Sequence, residues 1–471
     1  MYLDFFSTNV QRTAVTTAAN CCRNIPLDSF ETVKEIMPNL KNIISGTDQK
    51  VVEQGCLCIA RIVDGFKHHP DKLEQLITKD VLEAVLAILL PGNTSAAGSS
   101  THTQLLRLLG LLVRNSAKLG AQMLKMNLVE TVYQILTGIS PPENTDMESR
   151  KNTSIYVLQA LIHRPHNQIL ETLNIVCDLF PDPPATNDLS PEISRGDELL
   201  FLSAVDRSKP SREERKQVLD ECHDDVVQFI KILAPTLLDI YSSTIIFIVR
   251  QRVLNSLVKM FVYLDRDILE LILGDVPFAS FLAGILSQQD HPYLTLGALR
   301  LAELLSRKLP HVYRMHFQRE GIVAEIEKLA SDTSSPSVNS VSGIPPAMEA
   351  QHLDASEDDS DEDHDPDSDD DMDSPYESYS IFPPESTTAD MFKKAAKQFL
   401  KHFSESGETE ENEEAATLRN LKILGEEIAE SSDDTKTAKL FKDLAEYFQD
   451  DFDSITTFEH QESLIREVRR S

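Results

Sequence analysis

The chain has 471 residues, with 45 Lys+Arg against 76 Asp+Glu for a formal net charge of −31, 41% hydrophobic residues and no Trp. Such acidity repels phosphate, so general nucleic-acid binding is excluded and basic partners are the natural complement. The charge is uneven: residues 1–330 hold 33 basic and 39 acidic side chains, whereas residues 331–471 hold 12 and 37.

The N-terminus, MYLDFFSTNV, has neither a basic n-region nor an apolar h-region, so no signal peptide is expected. No apolar run reaches about 18 residues, and no membrane span is expected either. Gln11 to Ile25 reads as a helix with small residues Ala18, Ala19 and Cys22 on one side, and Phe30 to Ile44 follows as further helical material. The chain thus opens inside a module without a polar capping unit, as a truncated product would, since stacked repeats need capped ends.

Asp48 to Leu90 sets the plan of the body. Val51, Val52, Gly55, Leu57, Cys58, Ile59, Ile62 and Val63 fall at helical spacing, with Gly55 and Ala60 small enough for another helix to press close. After a His68–Asp71 turn come two shorter stripes, Leu73, Leu76 and Ile77, then Val81, Leu82, Val85, Leu86 and Leu89, stopped by Pro91-Gly92. Asp290 to Leu329 writes the same unit again: Asp290 matches Asp48, Gly297 matches Gly55, Ala302 matches Ala60, and Ile322, Val323 and Ile326 match Val81, Leu82 and Val85. A unit near forty residues that cannot bury its own apolar face must stack on its neighbours.

Between these copies, Gln104 to Arg114 and Met123 to Leu136 repeat the plan; Ile155 to Ile162 and Ile169 to Leu179 are helical. The Pro-rich, polar stretch at about 180–211 is an insertion, and long apolar helices follow over Val226–Tyr241, Ile245–Val262 and Ile268–Leu286. Residues 331–375 form a linker expected to be disordered. Its centre, Asp354 to Asp373, holds thirteen acids and no base, which leaves too little apolar area to offset the entropy of ordering. Residues 376–471 add amphipathic helices over Asp390–Phe403, Thr417–Ala429 and Thr437–Phe448, and end mid-pattern, again as a truncation would.

The Asp48 and Asp290 units resemble the armadillo repeat: a long helix with small residues, a polar turn and two shorter helices around a corner, here KDV at Lys79–Val81 and EGI at Glu320–Ile322. The resemblance implies an all-α, armadillo-type helical solenoid over residues 2–330, coiled as a right-handed superhelix. In armadillo proteins that hold extended peptides, an Asn on the groove-lining long helix fixes the ligand backbone. The matching positions here are Asn24, Arg61, Arg114 or Asn115, and Glu303, a ladder with few Asn. Arg61 and Arg114 would suit an acidic or carbonyl-rich partner, or else be solvated face charges.

No catalytic constellation emerges. His68-His69, His163 with His166, and Cys222-His223 lack metal-site spacing, and no phosphate loop, GxSxG or dinucleotide fingerprint occurs, so no metal or cofactor is expected. Six cysteines without CxxC spacing read as packed free thiols, with no basic cluster to activate one. In the acidic run Ser356, Ser360 and Ser368 each precede an acid by three residues, the pattern of an acid-directed kinase; each phosphate would add roughly −1.5 to −2 of charge.

YLDFFSTNVQRTAVTTAANCCRNI, the VVEQGCLCIARIVDGF helix, RQRVLNSLVKM at Arg250–Met260 and MFKKAAKQFLKHF together are similar to the armadillo region of HECT-type ubiquitin ligases of the ubiquitin-fusion-degradation, or thyroid-receptor-interactor, branch. The resemblance implies a recognition scaffold lacking the thioester-forming HECT domain. Its expected partners are ubiquitin or ubiquitinated, degron-bearing substrates, with a ubiquitin-conjugating enzyme reached through the missing domain. It also implies a nuclear and cytoplasmic location. The other reading is a stand-alone armadillo adaptor in transport or signalling.

Overall fold

A computed structural model describes residues 8–90, 97–142, 147–183, 210–274, 276–288, 291–331 and 392–404. Among the described residues there are helices and turns and no strand. The chain divides into two compact units, 1–397 and 398–471, and of the second only 398–404 is described.

The body is built on a row of long helices. These are α1 (Thr8–Cys21), α3 (Gln49–Phe66), α6 (Ser99–Asn115), α10 (His166–Leu179), α13 (Phe247–Tyr263) and α16 (Pro292–Lys308). Each stacks on the next: α1 on α3, α3 on α6, α6 on α10, α10 on α13 and α13 on α16. A solenoid needs this arrangement, because one helix buries two faces only when it has a neighbour on both sides. Val52, Cys58, Ile59 and Val63 of α3, and Leu105, Leu109, Leu112 and Val113 of α6, are accordingly fully buried. The outward face of α1, carrying Val10, Ala14 and Ala18, is instead a shallow open groove.

A second row lies behind the first. It runs α2 (Phe30–Ile44), α5 (Lys79–Leu89), α8 (Leu128–Thr137), α9 (Met147–His163) and α12 (His223–Ser243), then α15 (Phe278–Gln288) and α18 (Ile322–Ser331). α12 is long and apolar enough to cross a membrane by length alone, but Val226, Phe229, Ile230, Leu233 and Leu237 are fully buried inside the solenoid. On α9 the buried side is Val157 and Ala160, and Ile155, Leu158 and Ile162 form an exposed apolar row.

Short helices turn the chain from the first row to the second: α4 (Pro70–Leu76), α7 (Ala117–Lys125), α11 (Arg212–Asp220), α14 (Arg266–Leu273) and α17 (Pro310–Arg319). Their starts follow from local chemistry. Pro70 and Pro310 open α4 and α17, where the missing N–H costs nothing. Ser116 and Ser211 cap α7 and α11 by accepting from Leu119 N (3.2 Å) and Glu214 N (3.1 Å). The corner after a short helix takes a left-handed residue at Asn127 (φ 61°) and Gly321 (φ 76°). The Lys79–Val81 corner contains no such residue, so its likeness to Glu320–Ile322 is one of sequence only.

The matched glycines also differ in use. A Cβ on Gly55 would meet Ile43 Cγ2 at 2.7 Å and Ile44 Cγ2 at 3.0 Å, both on α2 behind it. A Cβ on Gly297 would meet Leu254 Cδ1 at 3.1 Å, on α13 beside it in the row. Both permit close approach, but to different neighbours.

Residues 392–404 form a further helix, α19. Phe392 and Ala395 pack against Tyr293 and Leu296 of α16, together with Phe247 of α13. The start of this helix therefore belongs to the first unit. The insertion at 184–209, the acidic run and the expected helices at 417–429 and 437–448 lie outside the described residues.

Candidate functional site

The five expected groove residues are not arranged as an open ladder. Asn24 ends the 3-10 turn Cys22–Asn24 that follows α1 and so stands on no long helix. Arg61 is on α3, but its Nη1 donates back to the Ala19 carbonyl (2.7 Å) and to Asn20 Oδ1 (3.4 Å) at the end of α1. Burial, and then Arg23, pushes its pKa below the usual arginine range. Arg114 closes α6 with its Nε 3.3 Å from Asp178 Oδ2 on α10. Asn115 is buried, and Glu303 pairs with Arg307 one turn on, at 2.7 Å. Ser356, Ser360 and Ser368 lie outside the described residues.

These contacts belong to a pattern that sequence reading missed. The C-terminal carbonyls of a long helix have no partners within the helix, and its dipole favours a cation there. Along the row, a basic side chain from another helix supplies both needs. Arg61 does so for α1. Arg215 of α11 donates to the Val113 (2.9 Å) and Arg114 (3.0 Å) carbonyls at the end of α6, and to the Leu179 carbonyl at the end of α10 (3.5 Å). Lys308 of α16 donates to the carbonyls of Phe261 (2.8 Å), Val262 (3.0 Å) and Leu264 (2.5 Å) at the end of α13. A basic residue in a helix says nothing of this in sequence, because the acceptor is a main-chain oxygen on a different helix.

At the middle of the row these caps merge into a buried charge cluster. Asp178 is surrounded by Arg114, Lys259, Arg252 and Arg215. Burial would raise its pKa, but those cations hold it below the usual carboxylate value. Lys259, 4% exposed, is 2.7 Å from Asp182 Oδ1 and keeps a raised pKa against the pull of burial. The arrangement locks α6, α10 and α13 together.

The cysteines depart from expectation. Cys56, Cys58, Cys177 and Cys222 are buried, but Cys21 is exposed and Cys22 half-buried, at the end of α1. Cys22 pairs with Cys58, and that hydrogen bond, with help from Arg61, lowers the Cys22 pKa, whereas burial pushes Cys56 up to about 12. A basic neighbour for one thiol is therefore present.

One cleft of about 440 Å³ opens in the second row. Its walls come from Tyr133 of α8, Thr153 of α9, residues 231–242 of α12, and Val276–Phe281 at the start of α15. α12 and α15 meet on one side through Tyr241 and Phe281, whose rings are edge-on with centroids 5.1 Å apart. Asp239 lines this cleft with no hydrogen bond or ion pair among the described residues, and burial raises its pKa to about 6. Among the described residues, no group of three His, Cys, Asp or Glu could hold a metal ion.

No family model matches the chain. Several curated proteins do. It is 30% identical over 342 residues to the E3 ubiquitin-protein ligase UPL3 of Arabidopsis thaliana, covering 70% of this chain and 17% of that protein. It is 28% identical over 382 residues to the E3 ubiquitin-protein ligase TRIP12 of Danio rerio, covering 70% and 18%. With a probable ubiquitin fusion degradation protein of Schizosaccharomyces pombe it shares 27% identity over 455 residues, covering 95% and 23%. Over most of its length the chain is similar to E3 ubiquitin-protein ligases of the ubiquitin-fusion-degradation branch. It spans about a fifth of the length of these relatives. The fission-yeast match is long enough to run through the acidic stretch into α19, so within this branch the likeness is not confined to the repeats before residue 331.

Proposed function

We propose that this chain is the recognition scaffold of such a ligase. In this reading it holds ubiquitin, or a ubiquitinated or degron-bearing substrate, and a HECT domain elsewhere in the ligase receives ubiquitin from a conjugating enzyme and makes the new bond. The chain itself contributes no thioester cysteine and works in the nucleus and cytoplasm. The observation that carries the proposal is the combination of the ligase relationship with a row of stacked helices whose charged groups hold the helices together. A rigid scaffold of this kind acts by proximity: it raises the effective concentration of an acceptor lysine near the reacting centre without touching the reacting atoms.

The test uses the full chain immobilised and titrated with monoubiquitin and with ubiquitin chains, next to incubation with a charged conjugating enzyme. Saturable ubiquitin binding without a reducible ubiquitin adduct is the expected result. A thiol-sensitive adduct on Cys22, the one thiol with a lowered pKa, would overturn the non-catalytic assignment. Absence of any ubiquitin binding would move the chain's role to substrate or to a different partner.

A further inference from the structure

The cleft between α8, α9, α12 and α15 has three features that belong together. Its walls are apolar and rigid: Pro142, Pro235, Val276, Pro277 and Phe281 line it. Pro235 lies inside α12 and has no N–H, so it cannot close the helix bond to the carbonyl of Lys231 one turn earlier, which leaves that oxygen as an acceptor on the lining helix. One turn after Pro235 comes Asp239, which makes no hydrogen bond or ion pair among the described residues.

The other titratable groups of the lining do not neutralise Asp239. Lys231 is eight residues away on the same helix, roughly 12 Å along its axis, and is exposed at the other end of the cleft. Tyr133, on α8, takes its hydrogen bond from the direction of Thr153, and its own pKa is raised by burial. A half-buried carboxylate with no partner among the described residues is costly to keep unless something else supplies one.

We propose that this cleft is a docking site for a basic side chain, arginine above lysine, presented by an extended segment of a protein partner. The aliphatic stem lies between the proline and phenylalanine walls and the guanidinium donates to the Asp239 carboxylate, while the Lys231 carbonyl, two turns back, accepts from a main-chain N–H of the same segment. Arginine suits the site better than lysine because its planar fork carries several donors in fixed directions. Lys231, at the far end, marks where an acid or a carbonyl of the same segment would lie, about four residues along an extended chain. The proposal is independent of the ubiquitin reading: the segment is defined by its chemistry, whatever protein carries it.

The test is a peptide array of acetylated nonapeptides with a central arginine, lysine, citrulline or glutamate between apolar residues, probed with the full chain. Three forms are compared: wild type, Asp239→Asn, and Ser280→Trp, which fills the cleft from an exposed lining position. The wild-type chain is expected to retain arginine peptides about tenfold better than the isosteric, uncharged citrulline peptides, the ratio of a charge-assisted to a neutral hydrogen bond. Both variants should lose that preference while keeping the wild-type helical circular-dichroism signal. Equal retention of arginine and citrulline overturns the site. A preference for arginine that survives Asp239→Asn assigns it to the acidic run at Asp354–Asp373 and overturns it equally.

Discussion

Arg114 and Asp178 meet at 3.3 Å across the joint between α6 and α10, with side-chain exposures of 19% and 14%. The sequence offers this arginine as a groove residue; the fold uses it as a clamp. Its partner is shared by Lys259, Arg252 and Arg215. Asp178→Asn therefore leaves several buried cations short of a counter-charge. Breaking a buried pair in this way costs about 3–5 kcal/mol, to be read as a lower midpoint in urea unfolding. The Asp178 pKa is depressed in the fold, so the stability it adds is present above the unfolded value of 3.8 and is lost as pH falls through the folded one. The gap between wild type and Asp178→Asn should close on acidification.

Lys308 and Arg61 make the same kind of cap with different strength. Lys308 reaches three carbonyls, and Lys308→Ala should cost about 1.5–3 kcal/mol, the range for hydrogen bonds to a charged group. Arg61 is more open to solvent, so Arg61→Ala should cost only about 1 kcal/mol. Chemical denaturation of the two variants tests the order. The Arg61→Ala, Arg114→Ala pair should lose stability before it loses any partner.

Asp239 has the opposite pH signature to Asp178. Its folded pKa, about 6, is above the ordinary 3.8, so the fold disfavours the charged form. That penalty is in force above pH 6 and is relieved as pH falls toward 4. Asp239→Asn should stabilise the protein at pH 8, by about 1 kcal/mol after allowing for partial exposure, and be neutral near pH 4. Paired melts at the two pH values measure it.

Cys22 should be alkylated at lower pH than Cys56 or Cys58. The hydrogen bond with Cys58 and the charge of Arg61 favour its thiolate, whereas that same hydrogen bond and burial hold Cys58 protonated and burial holds Cys56 so. Mass spectrometry after brief iodoacetamide treatment near pH 7 should find Cys22 labelled and Cys56 and Cys58 not. Arg61→Ala should slow the labelling of Cys22.

Gly55→Ala and Gly297→Ala separate two kinds of close approach. The first forces a methyl to 2.7 Å from Ile43 Cγ2, the second to 3.1 Å from Leu254 Cδ1. Overpacking costs about 1–3 kcal/mol, and Gly55→Ala should lie nearer the upper end, as thermal melts of the two variants would register.

The sequence by itself determined the class of fold and the branch of ligases. Apolar residues at helical spacing, small residues at Gly55 and Gly297, and a unit written twice are local facts, and helical periodicity survives without knowledge of the partner helix. The tertiary structure decided what the charged residues do. Arg61, Arg114, Arg215 and Lys308 read alike as basic residues in helices, and only the stacking of the rows sets carbonyl ends or Asp178 beside them. It also decided that Phe392 and Ala395 pack on Tyr293 and Leu296, and that Asp239 faces a cleft with no partner among the described residues. Periodicity in sequence fixes which face of a helix is apolar; a polar group's role depends on what a distant helix brings within about 3 Å, the range of a hydrogen bond, and no local pattern encodes that distance.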